Sequence, residues 1–262
     1  MRAAIQQYLP GHPWRDRIHY FDTIDSTNTH AKELARGGAP EGTVVIADQQ
    51  TGGRGRLGRS FSSPAGMGIY MSIILRPECP PAELMHLTCA AGVIAGDAIV
   101  RIGKPMPSIK WTNDLVLGKR KLGGILTEVS VEPASGKVEW AVVGIGINCC
   151  QQPSDFPEDI RDIAISLGIT PAQRAQLIAE LMRSFHQVRH YLFVEKEGIM
   201  EDFRHRCVTI GQEISVVRCD EVRHGSALSV DNDGGLVVKY DDGTTATVSS
   251  GEVSIRGMYG YL

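Results

Sequence analysis

The chain has 262 residues, 42% hydrophobic and 22% charged, which suits one large globular domain with a small appendage. A formal net charge of −3 excludes a global pull on nucleic acid, although local basic loops can still hold phosphates. Residues 1–17 mix charges with Pro10, Gly11 and Pro13 and read as a leader without an apolar core, not as a signal peptide. The longest apolar runs, such as Ile69–Leu75, are too short to cross a bilayer, so a cytoplasmic protein with no membrane partner is expected. The six cysteines (Cys79, Cys89, Cys149, Cys150, Cys207 and Cys219) form no C-x-x-C pair, which predicts reduced, structural thiols and no cysteine-bound metal.

In chain order, Ile18–Ile24 alternates like a strand, and Asp25, Ser26 and Thr27 offer caps for a helix that runs to about Ala35 and stops at Gly37-Gly38. Thr43–Asp48 and Ile69–Leu75 read as strands, separated by a loop rich in glycine and arginine. Ala82–Arg101 carries small and apolar residues at helical spacing, which predicts a long buried helix. Ser108–Leu117, Lys121–Val131 and Lys137–Ile147, joined by short turns, predict an antiparallel meander. A polar loop, Gln151–Asp159, leads to a helical stretch from Ala172 to His205 with a break near Gly198. The segments Glu213–Val217, Ser226–Val230, Leu236–Tyr240 and Thr245–Ser249 then predict a compact barrel of SH3-like size, with the domain boundary near Arg206.

Four patterns point to chemistry. In Gly52–Arg59, glycines let backbone N–H groups approach a ligand and Arg54, Arg56 and Arg59 supply forked donors, as a ligand with both a carboxylate and phosphates requires. A solvated basic loop or an RNA contact is the plainer alternative; no Walker lysine follows. Lys110 and Lys121, read as neighbours on paired strands, repel unless an anion lies between them, and Asn113 and Asp114 stand at the same end as magnesium ligands or a proton acceptor. Gly144 and Gly146 alternate along a strand and leave room for a flat ligand, or merely mark a core strand. Asp25–Asn28 puts short polar groups at a helix start, which by itself is a good cap.

Taken in order, Asp25-Ser26-Thr27-Asn28, Gln50 with the Gly53–Arg59 loop, Lys110-Trp111-x-Asn113-Asp114, Lys121-Leu122-Gly123-Gly124-Ile125-Leu126 and Gly144-Ile145-Gly146-Ile147-Asn148 resemble the biotin protein ligases. The resemblance runs from about residue 18 to the end, including Gly251–Arg256. It implies an α+β fold: a mixed, largely antiparallel central sheet with helices over 18–206, related to lipoate ligases, and a small SH3-like barrel over 207–262. It also implies ATP-dependent formation of biotinyl-5′-AMP and transfer of biotin to a lysine of a biotin carboxyl carrier protein. ATP and Mg²⁺ enter as co-substrate and metal, with no tightly bound prosthetic group.

Residue by residue, the resemblance places Ser26, Thr27, Asn28, Gln50, Gly53, Gly55 and Gly124 at biotin, and Arg54 and Arg56 in a loop that closes over the intermediate. Lys121 lies near the biotin carboxylate. Lys110, Asn113, Asn148 and Arg256 fall near the nucleotide, with Asn113 and Asn148 as magnesium ligands. Lys121, Arg54, Lys110 and Asp114 form the catalytic set, with Asp114 accepting the acceptor amine's proton. Thr112, Phe61 and Gly52 depart from the proline, tryptophan and alanine common at these places, which alters stiffness and packing without removing charge. Some relatives carry an N-terminal helix-turn-helix; about seventeen residues before the first strand are too few for one, so no repressor role and no DNA partner are expected, and a homodimer is left open. The rivals are a lipoate ligase or octanoyltransferase of the same fold, and a nucleic-acid-binding module, against which the acidic C-terminal region argues.

Overall fold

The computed structural model describes residues 1–189, 192, 195–218 and 221–249, with 253–257 as backbone only. The larger, seven-stranded sheet holds β1 (Ile18–Ile24), β2 (Val44–Gln50), β3 (Gly68–Leu75), β4 (Ser108–Lys110), β5 (Asp114–Leu117), β6 (Arg120–Val131) and β7 (Val138–Asn148), in the order β1-β2-β3-β7-β6-β5-β4. Only β1 and β2 pair in parallel. A parallel pair needs a crossover, and helix α2 (Thr27–Arg36) supplies it.

Strand alternation divides the sheet into two faces. Val44 and Ile46 of β2, Ile69, Met71 and Ile73 of β3, and Val143, Ile145 and Ile147 of β7 point into the main core. That core is filled by α3 (Leu87–Arg101), which is apolar on all sides and therefore buried, and by α4 (Pro171–Val188). Pro81–Arg101, a short 3-10 turn plus α3, is long and apolar enough for a membrane span, but 72% of it is buried inside the protein. On the opposite face, Val45, Ile74, Trp140 and Val142 pack against Ala31 and Ala35 of α2. Beyond α2, Ser72, Gly144 and Gly146 continue that face into a cleft.

Four expectations need correction. Ser108–Leu117 is a hairpin and not a single strand, with Lys110 paired to Asp114. The β-favouring Trp111 and Thr112 are instead drawn into the core: Trp111 donates its N–H to Thr209 Oγ1 (2.9 Å) and its indole N–H to Gly234 O (2.8 Å), while Thr112 Oγ1 meets Cys89 Sγ at 3.2 Å. Lys110 and Lys121 are therefore separated by β5 rather than lying on paired strands. The long C-terminal helical stretch breaks between α4 and α5 (Lys196–Arg206), leaving Gly198 inside α5. Residues 1–17 are folded onto the domain: α1 (Arg2–Gln7) packs on α4, Ile5 and Leu9 are fully buried, and Trp14 covers Gly42, where a Cβ would lie 2.0 Å from the indole nitrogen. Three apolar anchors in seventeen residues are too sparse to stand out by composition.

The second sheet, order β11-β10-β9-β8-β12, holds β8 (Glu213–Arg218), β9 (Glu221–Val230), β10 (Leu236–Tyr240), β11 (Thr245–Val248) and β12 (Val253–Gly257), all antiparallel. It is SH3-like in size and pattern. Among the described residues no pairing joins β11 to β12. The sheet is tied to the larger domain at the β4–β5 hairpin, where Val208 N donates to Ile109 O (2.9 Å) beside the two Trp111 bonds.

Candidate active site

The cleft lies over the glycine-bearing part of the large sheet, and its two ends differ in chemistry. One end is uncharged. Ser26 caps α2 by accepting from Thr29 N (3.5 Å), which places Thr27 and Asn28 in the first turn. Gln50 Oε1 accepts from Thr27 N (2.9 Å) and Thr27 Oγ1 (3.1 Å), and Gln50 Nε2 donates to Ser63 Oγ (2.9 Å). Asn28 Nδ2 donates to Leu126 O (3.2 Å) and Glu128 Oε2 (2.9 Å), while its Oδ1 accepts from Ser72 Oγ (2.6 Å). Gly144 and Gly146 are needed here for reasons the alternation alone did not reveal. A Cβ on Gly144 would stand 2.1 Å from Asn28 Oδ1, and one on Gly146 would stand 2.8 Å from the Phe61 ring, so the cleared space is filled by these two side chains.

The other end is cationic. Asp114 sits between Lys110, its register partner on β4, and Gly124 on β6, and its Oδ1 accepts from Lys121 Nζ at 2.7 Å. A Cβ on Gly124 would find only ordinary contacts with Asp114 and Lys121, 3.5 Å or more away. Burial pulls the Lys110 ammonium below the ordinary lysine value; Asp114 opposes this, and Lys121 and Arg59 add to it. The arginine loop closes on itself through Gly55 N to Arg59 O (2.7 Å) and Phe61 N to Gly53 O (2.9 Å). Gly53 is required because a Cβ would meet Phe61 O at 2.4 Å. Arg56 Nη1 donates to Asn113 Oδ1 (3.2 Å), which pins the loop to the β4–β5 turn. At the loop tip, Leu57 takes a positive φ of 55° and is 55% exposed.

Of the expected residues, Ser26, Thr27, Asn28, Gln50, Arg54, Gly55, Arg56, Lys110, Asn113, Asp114, Lys121 and Gly124 line this one cleft. Gly53 shapes the loop from behind. Asn148 is not in the lining: it donates to Ile165 O (3.1 Å) and accepts from Gln151 Nε2 (3.3 Å). The side chain of Arg256 lies outside the described residues, as do Cys219 and Gly251–Glu252. Sequence reasoning missed Phe61 as a wall of the cleft and missed Ser72, Ser63 and Glu128 behind it; none belongs to a glycine- or charge-rich run. Among the described residues no group of three His, Cys, Asp or Glu side chains converges on a metal position, and Asn113 and Asn148 do not share one. This donor set fits a magnesium ion carried in on nucleotide phosphates and not a resident all-protein site.

The profile of the Biotin/lipoate A/B protein ligase family matches residues 20–148, and that of the Biotin protein ligase C terminal domain matches residues 209–256. The chain is 36% identical over 231 residues to the Bifunctional ligase/repressor BirA of Bacillus subtilis, covering 86% of this chain and 70% of that protein. It is 30% identical over 249 residues to the Biotin--[acetyl-CoA-carboxylase] ligase of Mycobacterium tuberculosis, covering 93% of this chain and 90% of that protein. A biotin protein ligase from Aquifex aeolicus, solved in complex with biotin and ATP, superposes with a TM-score of 0.75 at 27% identity, covering 92% of this chain and 98% of that one. With relatives at 30% identity or more aligned over most of its length and of theirs, and with a biotin protein ligase domain matched at its C-terminal end, the chain belongs to the biotin protein ligases.

Proposed function

We propose that this enzyme joins biotin to ATP to form biotinyl-5′-AMP and then transfers biotin to a specific lysine of a biotin carboxyl carrier protein. The observation that carries the reading is a single cleft with a fixed hydroxyl-and-amide end, suited to an uncharged bicyclic urea, and a cationic end, suited to a carboxylate beside phosphates. In the first step a biotin carboxylate oxygen bonds to the α-phosphorus and pyrophosphate leaves. Both reactants are anionic, so the barrier is largely electrostatic. Lys121, Lys110, Arg54 and Arg56 offset that repulsion and the charge gathering on phosphorus. Mg²⁺ accompanies ATP and supplies further charge neutralisation on its phosphates.

Lys121 is held in position by Asp114 before the substrates arrive. Once the carboxylate binds, Lys121 turns to it, and Asp114 is left as the carboxylate in the cleft. In the second step the carrier amine bonds to the acyl carbon, AMP leaves, and Asp114 accepts the proton the amine loses. The loop carrying Arg54 and Arg56 closes over the mixed anhydride and keeps water out. Gly124, with no side chain, leaves the ligand room beside Lys121. Gly53 and Gly55 let the loop backbone approach the ligand.

The outer edge of β6 suits the partner. β5 pairs with β6 only as far as Gly124, so among the described residues the stretch 126–131 has no strand on that side, and Val129 and Val131 are 41% exposed. An extended carrier segment, or the same strand of a second copy, extends the sheet there. A need for ATP supports a cytoplasmic reaction. Incubation with ATP, Mg²⁺, biotin and the carrier domain of a biotin-dependent carboxylase tests the reading by streptavidin blot. One labelled band is expected, lost when the carrier's acceptor lysine is replaced by arginine. Labelling by lipoate or octanoate but not by biotin would overturn it in favour of the lipoate branch of the fold.

A further inference from the structure

Behind the uncharged end of the cleft runs a chain of hydrogen bonds whose two ends can only accept. At one end Ser63 Oγ donates to Phe61 O (3.0 Å), and a carbonyl has no proton to give. Ser63 therefore accepts from Gln50 Nε2, which turns Gln50 Oε1 toward Thr27, where it takes both the N–H and the hydroxyl proton. Thr27 Oγ1, its proton committed, lies 2.9 Å from Ser72 Oγ and shares that hydroxyl's single proton with Asn28 Oδ1, the nearer acceptor at 2.6 Å. At the other end stands Glu128. Its Oε1 accepts a hydrogen bond from Lys32 Nζ at 2.5 Å, and its Oε2 accepts one from Asn28 Nδ2 at 2.9 Å. A carboxylate paired with an ammonium is an obligate acceptor, so the amide of Asn28 has one orientation: Nδ2 toward Glu128 and Oδ1 toward Ser72 and the cleft.

We infer that Glu128, paired with Lys32, is a positioning residue that sets Asn28 as a hydrogen-bond acceptor for the donor groups of the substrate's bicyclic ring. The assignment rests on the biotin reading above and deepens it. Neither Lys32 nor Glu128 lines the biotin end of the cleft; they act through Asn28. Their pairing joins α2 to β6 across 96 positions of chain, so the helix that carries Ser26, Thr27 and Asn28 is oriented on the sheet by the same bond. The pair is largely shielded, with side chains 16% and 29% exposed, which keeps it from being an ordinary surface ion pair.

The test uses an isosteric change. In Glu128→Gln the new amide turns its oxygen to the Lys32 ammonium and its NH₂ to Asn28. Asn28 is then set between this donor and the Leu126 carbonyl, which still accepts from Nδ2 at 3.2 Å, and the molecules in which it flips offer a donor where an acceptor stood. Calorimetry is expected to show biotin binding weakened by about tenfold or more, in line with loss of a charge-assisted contact. In steady-state assays the change is expected in the biotin KM and not in the rate at saturating biotin. Lys32→Met combined with Glu128→Gln frees the glutamine oxygen to face Asn28 again, and the double variant is expected to recover most of the affinity. Unchanged biotin affinity in Glu128→Gln would overturn the inference. So would a loss that spreads equally to the ATP KM, or one that the double variant does not relieve, since each marks general loosening. If the unaltered enzyme itself fails to bind biotin, it is the functional reading that falls.

Discussion

Replacing Arg56 by glycine isolates what the loop does after chemistry has occurred. The guanidinium donates to Asn113 Oδ1 at 3.2 Å and sits where burial works against its charge, with Asp114 opposing that effect. It thus ties the loop to the β4–β5 turn. A buried anionic phosphate beside it would relieve that cost and take a charge-assisted hydrogen bond worth roughly 1.5–3 kcal/mol. If the loss appears in dissociation, the acyl-adenylate escapes about ten to a hundred times faster from Arg56→Gly. Adenylation is expected to survive, because Lys110, Lys121 and Arg54 remain at the same end of the cleft. The variant therefore releases a reactive mixed anhydride that acylates lysines on bystander proteins. Serum albumin added to the reaction and probed by streptavidin blot reports this. A variant that makes adenylate at a normal rate yet labels albumin no more than the unaltered enzyme refutes the latch.

Two further predictions concern the nucleotide end. Trp111→Phe keeps an aromatic side chain, though a smaller one, and removes the donor to Gly234 O, leaving a buried carbonyl unpaired; a loss of about 1–3 kcal/mol in denaturant melts and a raised ATP KM are expected. Unchanged stability and ATP KM would show that the second sheet does not hold the Lys110–Asp114 hairpin in place. Lys110 is held below its ordinary value chiefly by burial, so as pH rises it loses its proton before an ordinary lysine does and the cleft loses a cation. The ATP kcat/KM is expected to fall on the alkaline side, and Lys110→Arg is expected to move that limb upward; the same limb in both proteins would contradict the assignment.

The parts of this account legible in the sequence are those fixed by local chemistry. β1 and the Ser26 cap were readable because alternation and helix capping act within a few residues. β10 was readable for the same reason. The glycine, arginine and lysine runs stood out as candidates, but a solvated basic loop or an RNA contact would have looked the same, and only the fold brings them to one cleft. The hairpin at Trp111–Asn113 was not legible, since its cause is Thr209 and Gly234, about a hundred positions further on. Gly144 was read as leaving room for a flat ligand or as marking a core strand; what stands in that room is the Asn28 side chain, brought there by a helix and a sheet. Glu128 carries no local signal in the sequence; only the packing of α2 gives it Lys32 and Asn28. The anchoring of residues 1–17 by Ile5, Leu9 and Trp14 is likewise a tertiary event.

The central claim is that one cleft brings a carboxylate and a nucleotide together through Lys121. The most direct measurement is mass spectrometry of the small-molecule products after incubation with ATP, Mg²⁺ and biotin, alongside Lys121→Ala. Biotinyl-5′-AMP and pyrophosphate are expected from the unaltered enzyme. The variant is expected to lose at least ~2–4 kcal/mol of transition-state stabilisation, which leaves product near or below detection. Near-normal pyrophosphate release from Lys121→Ala, or no biotinyl-5′-AMP from the unaltered enzyme, would contradict the account.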